Sequence, residues 1–114
     1  MYFVYMLRCK DSSIYTGITN DINKRMEAHF SKKGAKYTKS HDPLKIEVLW
    51  KCKEKTFACS LEYHIKHLTK LEKENIIKGY PLKKYLKNKV DLRRYRKINP
   101  EEIADSRFVK EEEE

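Results

Sequence analysis

The sequence lacks any apolar run close to the roughly 20 residues that a transmembrane helix needs, so we expect no membrane-spanning helix. Its first residues lack the basic start and the cleavage site of a signal peptide. Cysteine is scarce. The three residues are an odd number, and without a secretory signal we expect reduced thiols in the cytoplasm. At 114 residues the chain has room for one domain and one hydrophobic core.

Negative charge is also in short supply, because 26 Lys and Arg residues outnumber 17 Asp and Glu residues. The excess is concentrated in residues 66–97, where twelve basic residues accompany only Glu72, Glu74 and Asp91. Such a balance is typical of proteins that bind an anionic partner, most often nucleic acid, although a lysine-rich solvated surface has the same composition. At a minimum it predicts a salt-dependent affinity for DNA or RNA.

Hydropathy patterns predict three strands and three helices. Residues 2–9 and 14–18 are rich in β-branched and aromatic residues and flank a turn, which predicts an antiparallel hairpin. Residues 44–51 largely alternate and predict a third strand. Apolar residues recur at helical spacing over residues 21–30, from about residue 56, and over residues 69–78.

This order of elements predicts an α+β domain over residues 1–79, with a small three-stranded antiparallel sheet flanked by helices. Residues 31–42 have no periodicity and are expected to form a basic loop. Residues 80–114 are predicted to be a basic C-terminal extension whose apolar residues could dock on the domain. Beyond about residue 104, including the acidic end, we expect disorder.

The predicted hairpin brings two tyrosines onto one face. Side chains alternate across a strand, and a turn in the middle of the intervening residues sets Tyr5 opposite Gly17. Tyr15 then lies diagonally from Tyr5 on the same face. Gly17 would leave a gap beside Tyr5 where a backbone or a ligand could approach. Two aromatic residues on one face also often simply pack against each other.

The helices add basic, acidic and titratable side chains. Arg25 and His29 are four residues apart, so they project from the same side of the first helix. An Arg guanidinium suits phosphate, and a His side chain transfers protons near neutral pH. Glu62 of the second helix could form an ordinary ion pair with Lys66, or it could be a carboxylate ligand for Mg²⁺.

The ordered set of these features resembles the GIY-YIG nuclease domain, and most closely its small single-domain bacterial branch. Phe3-Val4-Tyr5 stands where the first tripeptide of that family stands, and Tyr15-Thr16-Gly17 stands at the second. Residues 15–29, 34–38 and 61–68 are similar to the strand-to-helix segment, the loop and the metal-site helix of the family. The resemblance covers residues 2 to about 78. Phe3, Val4 and Thr16 depart from the family tripeptides, whereas both tyrosines and the glycine are kept.

The resemblance implies hydrolysis of phosphodiester bonds with one divalent cation, Mg²⁺ or Mn²⁺. Glu62 would hold the cation, and Tyr5 would activate or orient the attacking water. Tyr15 would bond the phosphate or the water, and Arg25 would neutralise charge that grows on the phosphoryl oxygens. His29 would bond Tyr5 or relay its proton.

Further residues extend this implied site. Asn75 is the nearby candidate for a downstream asparagine that many members use. Gly17 and the basic loop are predicted to contact the nucleic acid, through Lys32, Lys33, Lys36, Tyr37 and Lys39. An aromatic ring among lysines can stack on an unpaired base. We expect DNA in preference to RNA, recognised by its structure or its ends, because no groove-reading element is evident.

Three functions are compatible with the sequence. The first is a metal-dependent nuclease, for example in DNA repair, which a protein partner could direct to its substrate. The second is a nucleic-acid-binding module that cuts poorly or not at all, motivated by the charge and by the departures at Phe3, Val4 and Thr16. The third is a protein-interaction module whose basic extension docks acidic partners.

Overall fold

A computed structural model describes residues 1–31 and 36–109. Its strands are β1 (Tyr2–Cys9), β2 (Ile14–Thr19), β3 (Pro43–Cys52) and β4 (Arg96–Ile98). Its helices are α1 (Ile22–Phe30), α2 (Lys36–His41), α3 (Lys55–Lys66), α4 (Lys70–Ile77) and α5 (Lys83–Leu86). Short 3-10 helices cover Leu92–Arg94, Pro100–Glu102 and Ser106–Phe108. Within the described ranges, none of the helices has the length and apolar character needed to cross a bilayer.

The strands form one antiparallel sheet in the order β2-β1-β3-β4. The α+β class and the antiparallel sheet are therefore confirmed, but the predicted count of three strands is wrong. The added strand, β4, pairs Ile98 with Leu49 and Arg96 with Lys51. Three residues with one apolar side chain carry no strand pattern of their own. They are extended here because the outer edge of β3 offers unpaired backbone groups to bond.

The hairpin has the predicted register, with Tyr5 opposite Gly17. Its turn is closed by a bond from the Cys9 backbone N–H to the Ser13 carbonyl and by Ser12 in a left-handed conformation, with φ of 70°. The Asp11 carboxylate accepts the backbone N–H of Ser13, which is the local bond that favours Asp in turns.

The sheet is covered on both faces. On the α1 face, Tyr5 and Leu7 of β1 pack with α1 and with the residues that follow β4. On the α3 face, Val4 and Met6 pack against α3, α4 and α5. Each face has its own apolar cluster, as expected when side chains alternate along a buried central strand. The chain thus forms a three-layer arrangement with β1 at its centre.

Two expectations from the sequence are wrong. Residues 31–42 are not a loop throughout, because α2 occupies Lys36–His41. The chain beyond residue 104 is not disordered as far as residue 109. Phe108 is 3% exposed and lies against Phe30 of α1, with ring centroids 5.0 Å apart, so an apolar anchor outweighs the charged composition. Residues 32–35 and 110–114 lie outside the described residues.

Candidate active site

Helix α1 positions two of the predicted site residues. Asp21 caps its first turn by accepting the Lys24 backbone N–H, and Ile22 and Met26 are buried against the sheet. His29 lies three residues after Met26 on the same stripe and is completely buried. Arg25, one turn before His29, is only partly buried and remains within reach of a ligand.

The centre of the site is a buried bond between β1 and α1. The Tyr5 hydroxyl and His29 Nε2 are 2.7 Å apart, and both side chains are 0% exposed. The rings of Tyr15 and His29 meet nearly edge to face at 5.3 Å, and the rings of Tyr5 and Tyr15 are 6.3 Å apart. The predicted pair of tyrosines is thus present, and the imidazole contacts both of their rings.

Gly17 makes room for this arrangement. A Cβ atom at Gly17 would lie 2.5 Å from Tyr5 Oη and 2.9 Å from Cε2 of Tyr15. Both distances are far below ordinary van der Waals contact. The predicted gap beside Gly17 therefore exists, but the phenol of Tyr5 fills it. Contact between Gly17 and nucleic acid stays a prediction.

Two opposing effects act on the pKa of the Tyr5 phenol. Burial raises its pKa above the ordinary value of a tyrosine, while a hydrogen bond from Arg25 opposes that rise. The same bond to Tyr5, with a further one to Tyr15, raises the pKa of Arg25. Without a ligand, Tyr5 is therefore protonated at neutral pH, and Arg25 stands as a fixed cation beside both phenols.

His29 is a neutral imidazole at neutral pH. Burial, with the added repulsion of the Arg25 charge, lowers its pKa to about 4. A neutral ring can accept a proton at one nitrogen while it donates at the other. Nε2 is therefore able to accept the phenolic proton of Tyr5, as a relay requires.

Glu62 lies in α3, the helix that packs against the face of the sheet opposite to the Tyr5 side chain. Its negative charge also raises the pKa of Tyr5, so the carboxylate lies within electrostatic reach of the phenol. The Glu62 side chain is 23% exposed, and its Oε2 lies 3.6 Å from Lys66 Nζ. The ordinary ion pair with Lys66 is therefore present. That lysine is itself about half exposed, so it can leave the carboxylate to a competing cation.

The donors around Glu62 suit a cation that keeps most of its water. Among residues 1–31 and 36–109, no group of three or more His, Cys, Asp or Glu side chains is placed to hold a metal. Mg²⁺ commonly binds proteins through one or two carboxylates, with water and substrate phosphates as its other ligands. A single, partly exposed carboxylate within electrostatic reach of Tyr5 fits that ion.

The sequence model of the GIY-YIG catalytic domain matches residues 1–75. The chain belongs to the GIY-YIG family. That family consists of endonucleases, so the match supports a nuclease and a nucleic-acid substrate at the level of the family. The resemblance inferred from the two tripeptides and from the helix residues is thereby confirmed.

Similar proteins of the GIY-YIG family have comparable lengths. UPF0213 protein FN1575 of Fusobacterium nucleatum is 58% identical over 76 residues, which are 67% of this chain and 76% of that protein. UPF0213 protein YsiG of Lactococcus lactis is 36% identical over 99 residues, or 86% and 95% of the two chains. A solution NMR structure of UPF0213 protein BH0048 is 39% identical, covers 80% of this chain and 100% of that chain, and has a TM-score of 0.46.

Two of the three departures from the GIY-YIG tripeptides lie away from the tyrosines. Val4 and Thr16 neighbour Tyr5 and Gly17 in sequence, so their side chains point to the α3 face, where both are buried. Phe3 shares the face of Tyr5 and packs against the apolar cluster there. The departures change packing and leave the polar groups of the site in place.

Helix α2 adds a feature that the sequence did not indicate. Tyr37 stacks on Tyr15 at 5.8 Å between ring centroids and on His41 at 3.9 Å. His41 Nδ1 is in turn 2.5 Å from a carboxylate oxygen of Asp11 in the hairpin turn. Tyr37 was predicted to stack on an unpaired base. Here its ring extends the aromatic row that begins at Tyr5.

The remaining predicted residues are distributed as follows. Lys36 is exposed at the start of α2. Lys39 lies in α2, and the structure does not describe its side chain. Lys32 and Lys33 lie outside the described residues. Asn75 donates to Tyr85 Oη at 2.9 Å, so its amide joins α4 to α5.

Proposed function

We propose that this protein is a metal-dependent endonuclease that hydrolyses phosphodiester bonds of DNA, with the structure or the ends of the DNA as its cue. The observation that carries the proposal is the buried bond between Tyr5 and His29, with Arg25 bonded to the same phenol. A buried tyrosine held by a neutral imidazole and a guanidinium has the parts of a water activator beside a phosphate site.

In this proposal, Tyr5 removes a proton from the attacking water and passes its own proton to His29 Nε2. The phenol cannot start as a phenolate, because burial raises its pKa. Transfer to His29 leaves the phenol neutral and forms an imidazolium. An incoming phosphate brings negative charge to this site, which raises the low pKa of His29 towards the range in which the ring holds a proton.

The phosphate is bound by Arg25. An open cleft of about 250 Å³ adjoins this residue and is lined by Lys24, by Thr19 at the end of β2, and by Asn20 and Asp21, which follow it. Two basic side chains at one cleft suit the DNA backbone, and the guanidinium can donate two parallel hydrogen bonds to phosphoryl oxygens. Tyr15, which bonds Arg25, orients it toward the phosphate.

Glu62 is the residue that would hold Mg²⁺ or Mn²⁺. When bound, such a cation neutralises charge on the phosphate and on the leaving oxygen. The alternative of a non-catalytic binding module is motivated by the departures from the family tripeptides. Two of them lie on the opposite face of the sheet from Tyr5, which favours the enzyme.

The test is cleavage of an end-labelled panel of single-stranded, duplex, branched and flapped DNA and of RNA, with Mg²⁺, Mn²⁺ or chelator. The variant Glu62→Gln removes the charge and keeps the shape of the side chain. Glu54→Gln is the matched control, because Glu54 is an exposed carboxylate at the start of α3 that makes no capping bond. Glu54 is exposed, and an ion pair with an exposed lysine such as Glu62–Lys66 contributes about 0–1 kcal/mol to stability, so both variants should fold.

We expect metal-dependent product from wild type and Glu54→Gln, and none from Glu62→Gln. Full cleavage by purified Glu62→Gln would reject the proposal. No product from any substrate, despite salt-sensitive binding, would support the binding module. Tyr5→Phe and His29→Asn should each lower the single-turnover rate at saturating substrate, because each breaks the proton relay without removing the phosphate-binding Arg25.

A further inference from the structure

A second concave surface is formed mostly by residues that follow the region that matches the GIY-YIG domain. It is a groove of about 380 Å³, which we call the C-terminal groove, lined by Trp50, Ile76, Leu82, Leu92 and Tyr95 and bordered by Tyr80, Lys83 and Lys97. Its volume is within the range of ligand pockets, about 300–1,000 Å³. Most of its walls come from the extension after α4.

The C-terminal groove is separate from the tyrosine site. Trp50 of its floor is paired with Val4 and faces the α3 side of the sheet, whereas Tyr5 points to the α1 side. It also lies at the β4 edge, opposite to the β2 edge. A molecule in this groove therefore does not occupy the position where Tyr5 and His29 meet.

The rim of the groove combines an exposed aromatic ring with cations. Tyr80 is 42% exposed although it is large and apolar, and Lys84 Nζ lies 4.6 Å from its ring centroid. Gly79 has φ of +112° and turns the chain out of α4 so that Tyr80 reaches the rim. Residues 80–97 contain eight Lys or Arg residues and a single acidic one, Asp91.

We propose that the C-terminal groove binds an unpaired nucleotide of a single-stranded nucleic acid, with the base against the apolar floor and Tyr80, and the flanking phosphates at Lys83 and Lys97. The proposal rests on the proposed function in that the substrate is nucleic acid. The apolar floor suits a flat base, and the basic rim suits the phosphates on both sides of it. A duplex would present only its phosphates, because its bases are paired.

An acidic peptide would satisfy the lysines, but it would leave the exposed ring and the aromatic floor without a matching group. The charge and the aromatic lining together favour a nucleotide. The two occupants differ in what they predict. A strand with bases should bind more tightly than one without bases, whereas a peptide needs only its charge.

The experiment measures binding by fluorescence anisotropy in chelator, so that no cleavage is involved. The probes are a labelled oligothymidine, an abasic strand of equal length, and an oligoglutamate of equal charge as competitor. The variants are Tyr80→Ala, Tyr80→Phe and the double variant Lys83→Ala/Lys97→Ala. The matched control is Lys10→Ala/Lys55→Ala, which removes two exposed lysines outside the groove.

We expect oligothymidine to bind about tenfold more tightly than the abasic strand, from the stacking of one base. Tyr80→Ala should remove most of that difference, and Tyr80→Phe should retain it. Lys83→Ala/Lys97→Ala should reduce the slope of log K against log salt by about 1.4, the value for two phosphate contacts on a single strand. The control pair should change it less.

Equal binding of the two strands by wild type would overturn the proposal, as would equal losses on both strands in Tyr80→Ala. Stronger binding of oligoglutamate than of oligothymidine would assign the groove to an acidic protein partner instead. Because binding is read without metal, an enzyme that fails to cut can still pass this test. Conversely, if wild type cleaves DNA and Tyr80→Ala does not change the binding of either strand, the groove proposal is rejected and the proposed nuclease function stands.

Discussion

Replacement of Gly17 by alanine tests how tightly the tyrosine site is packed. The new methyl would overlap Oη and Cζ of Tyr5, at 2.5 and 2.7 Å. Carbon atoms in contact are normally about 3.5–4.0 Å apart, so the ring must move by about 1 Å. The same movement stretches its 2.7 Å bond to His29 beyond hydrogen-bonding distance. A single methyl thus disturbs both the packing and the hydrogen bond on which the proposed proton relay depends.

The magnitude follows from those two effects. Overpacking a buried site costs about 1–3 kcal/mol, and a buried hydrogen bond left unmade costs about 1–3 kcal/mol. Gly17→Ala should therefore lower the free energy of unfolding by about 2–6 kcal/mol. For a chain of this size, at about 4 °C per kcal/mol, Tm should fall by roughly 8–24 °C. Urea denaturation and thermal melting measure these changes, and cleavage should be lost at temperatures where the variant is folded.

A double-mutant cycle isolates the cause. In Tyr5→Phe, the ring is no longer held by His29 and can move aside, so Gly17→Ala should cost at least 1 kcal/mol less than in wild type. Gly79→Ala is the control. No atom lies within 4 Å of its added Cβ, so its cost comes from φ of +112° and should not change with Tyr5→Phe. A Gly17→Ala protein with wild-type stability and activity would refute the steric argument.

The remaining predictions concern pH, an ion pair and the aromatic row. Because the pKa of His29 falls to about 4 in the folded protein from 6.5 unfolded, stability should decrease by about 3 kcal/mol as pH drops from 6.5 to 4. His29→Gln should flatten this dependence in urea titrations, and an unchanged slope would contradict it. Arg8→Ala should cost about 2–3 kcal/mol, because Glu47 and Glu74 lose their charged hydrogen bonds from Arg8 and keep only the longer contacts with Lys45 and Lys70, and Arg8→Lys should recover only part of that loss in the same assay. Tyr37→Ala should slow single-turnover cleavage several-fold by releasing Tyr15, whereas Tyr37→Phe should not. Equal rates for the two variants would exclude a role for stacking.

The parts of the site that obey strand and helix periodicity could be predicted. Alternation along β1 and β2 gives the pairing of Tyr5 with Gly17, and helical spacing sets Arg25 and His29 on one side of α1. The contact between Tyr5 and His29 depends on how α1 lies against the sheet. Periodicity does not report that packing angle, and only the family resemblance suggested the bond.

The parts that depend on tertiary contacts could not be predicted. Helix α2 has no apolar stripe, and its Tyr37 packs on Tyr15 from the hairpin. The segment around Phe108 is charged, and one buried ring anchors it to Phe30. Strand β4 exists only as a partner of β3. In each case the partner lies more than 20 residues away in the sequence, beyond the reach of a local pattern.

The pairing of β4 with β3 has a consequence for biosynthesis. Residues 1–75 leave the ribosome before Arg96–Ile98 does, so the edge of β3 that includes Leu49 and Trp50 is unpaired during that interval. The nascent domain is then open to intermolecular strand addition. Once the extension has folded, β4 pairs with this edge. The segment that forms the C-terminal groove therefore also protects the edge from pairing with a strand of another molecule.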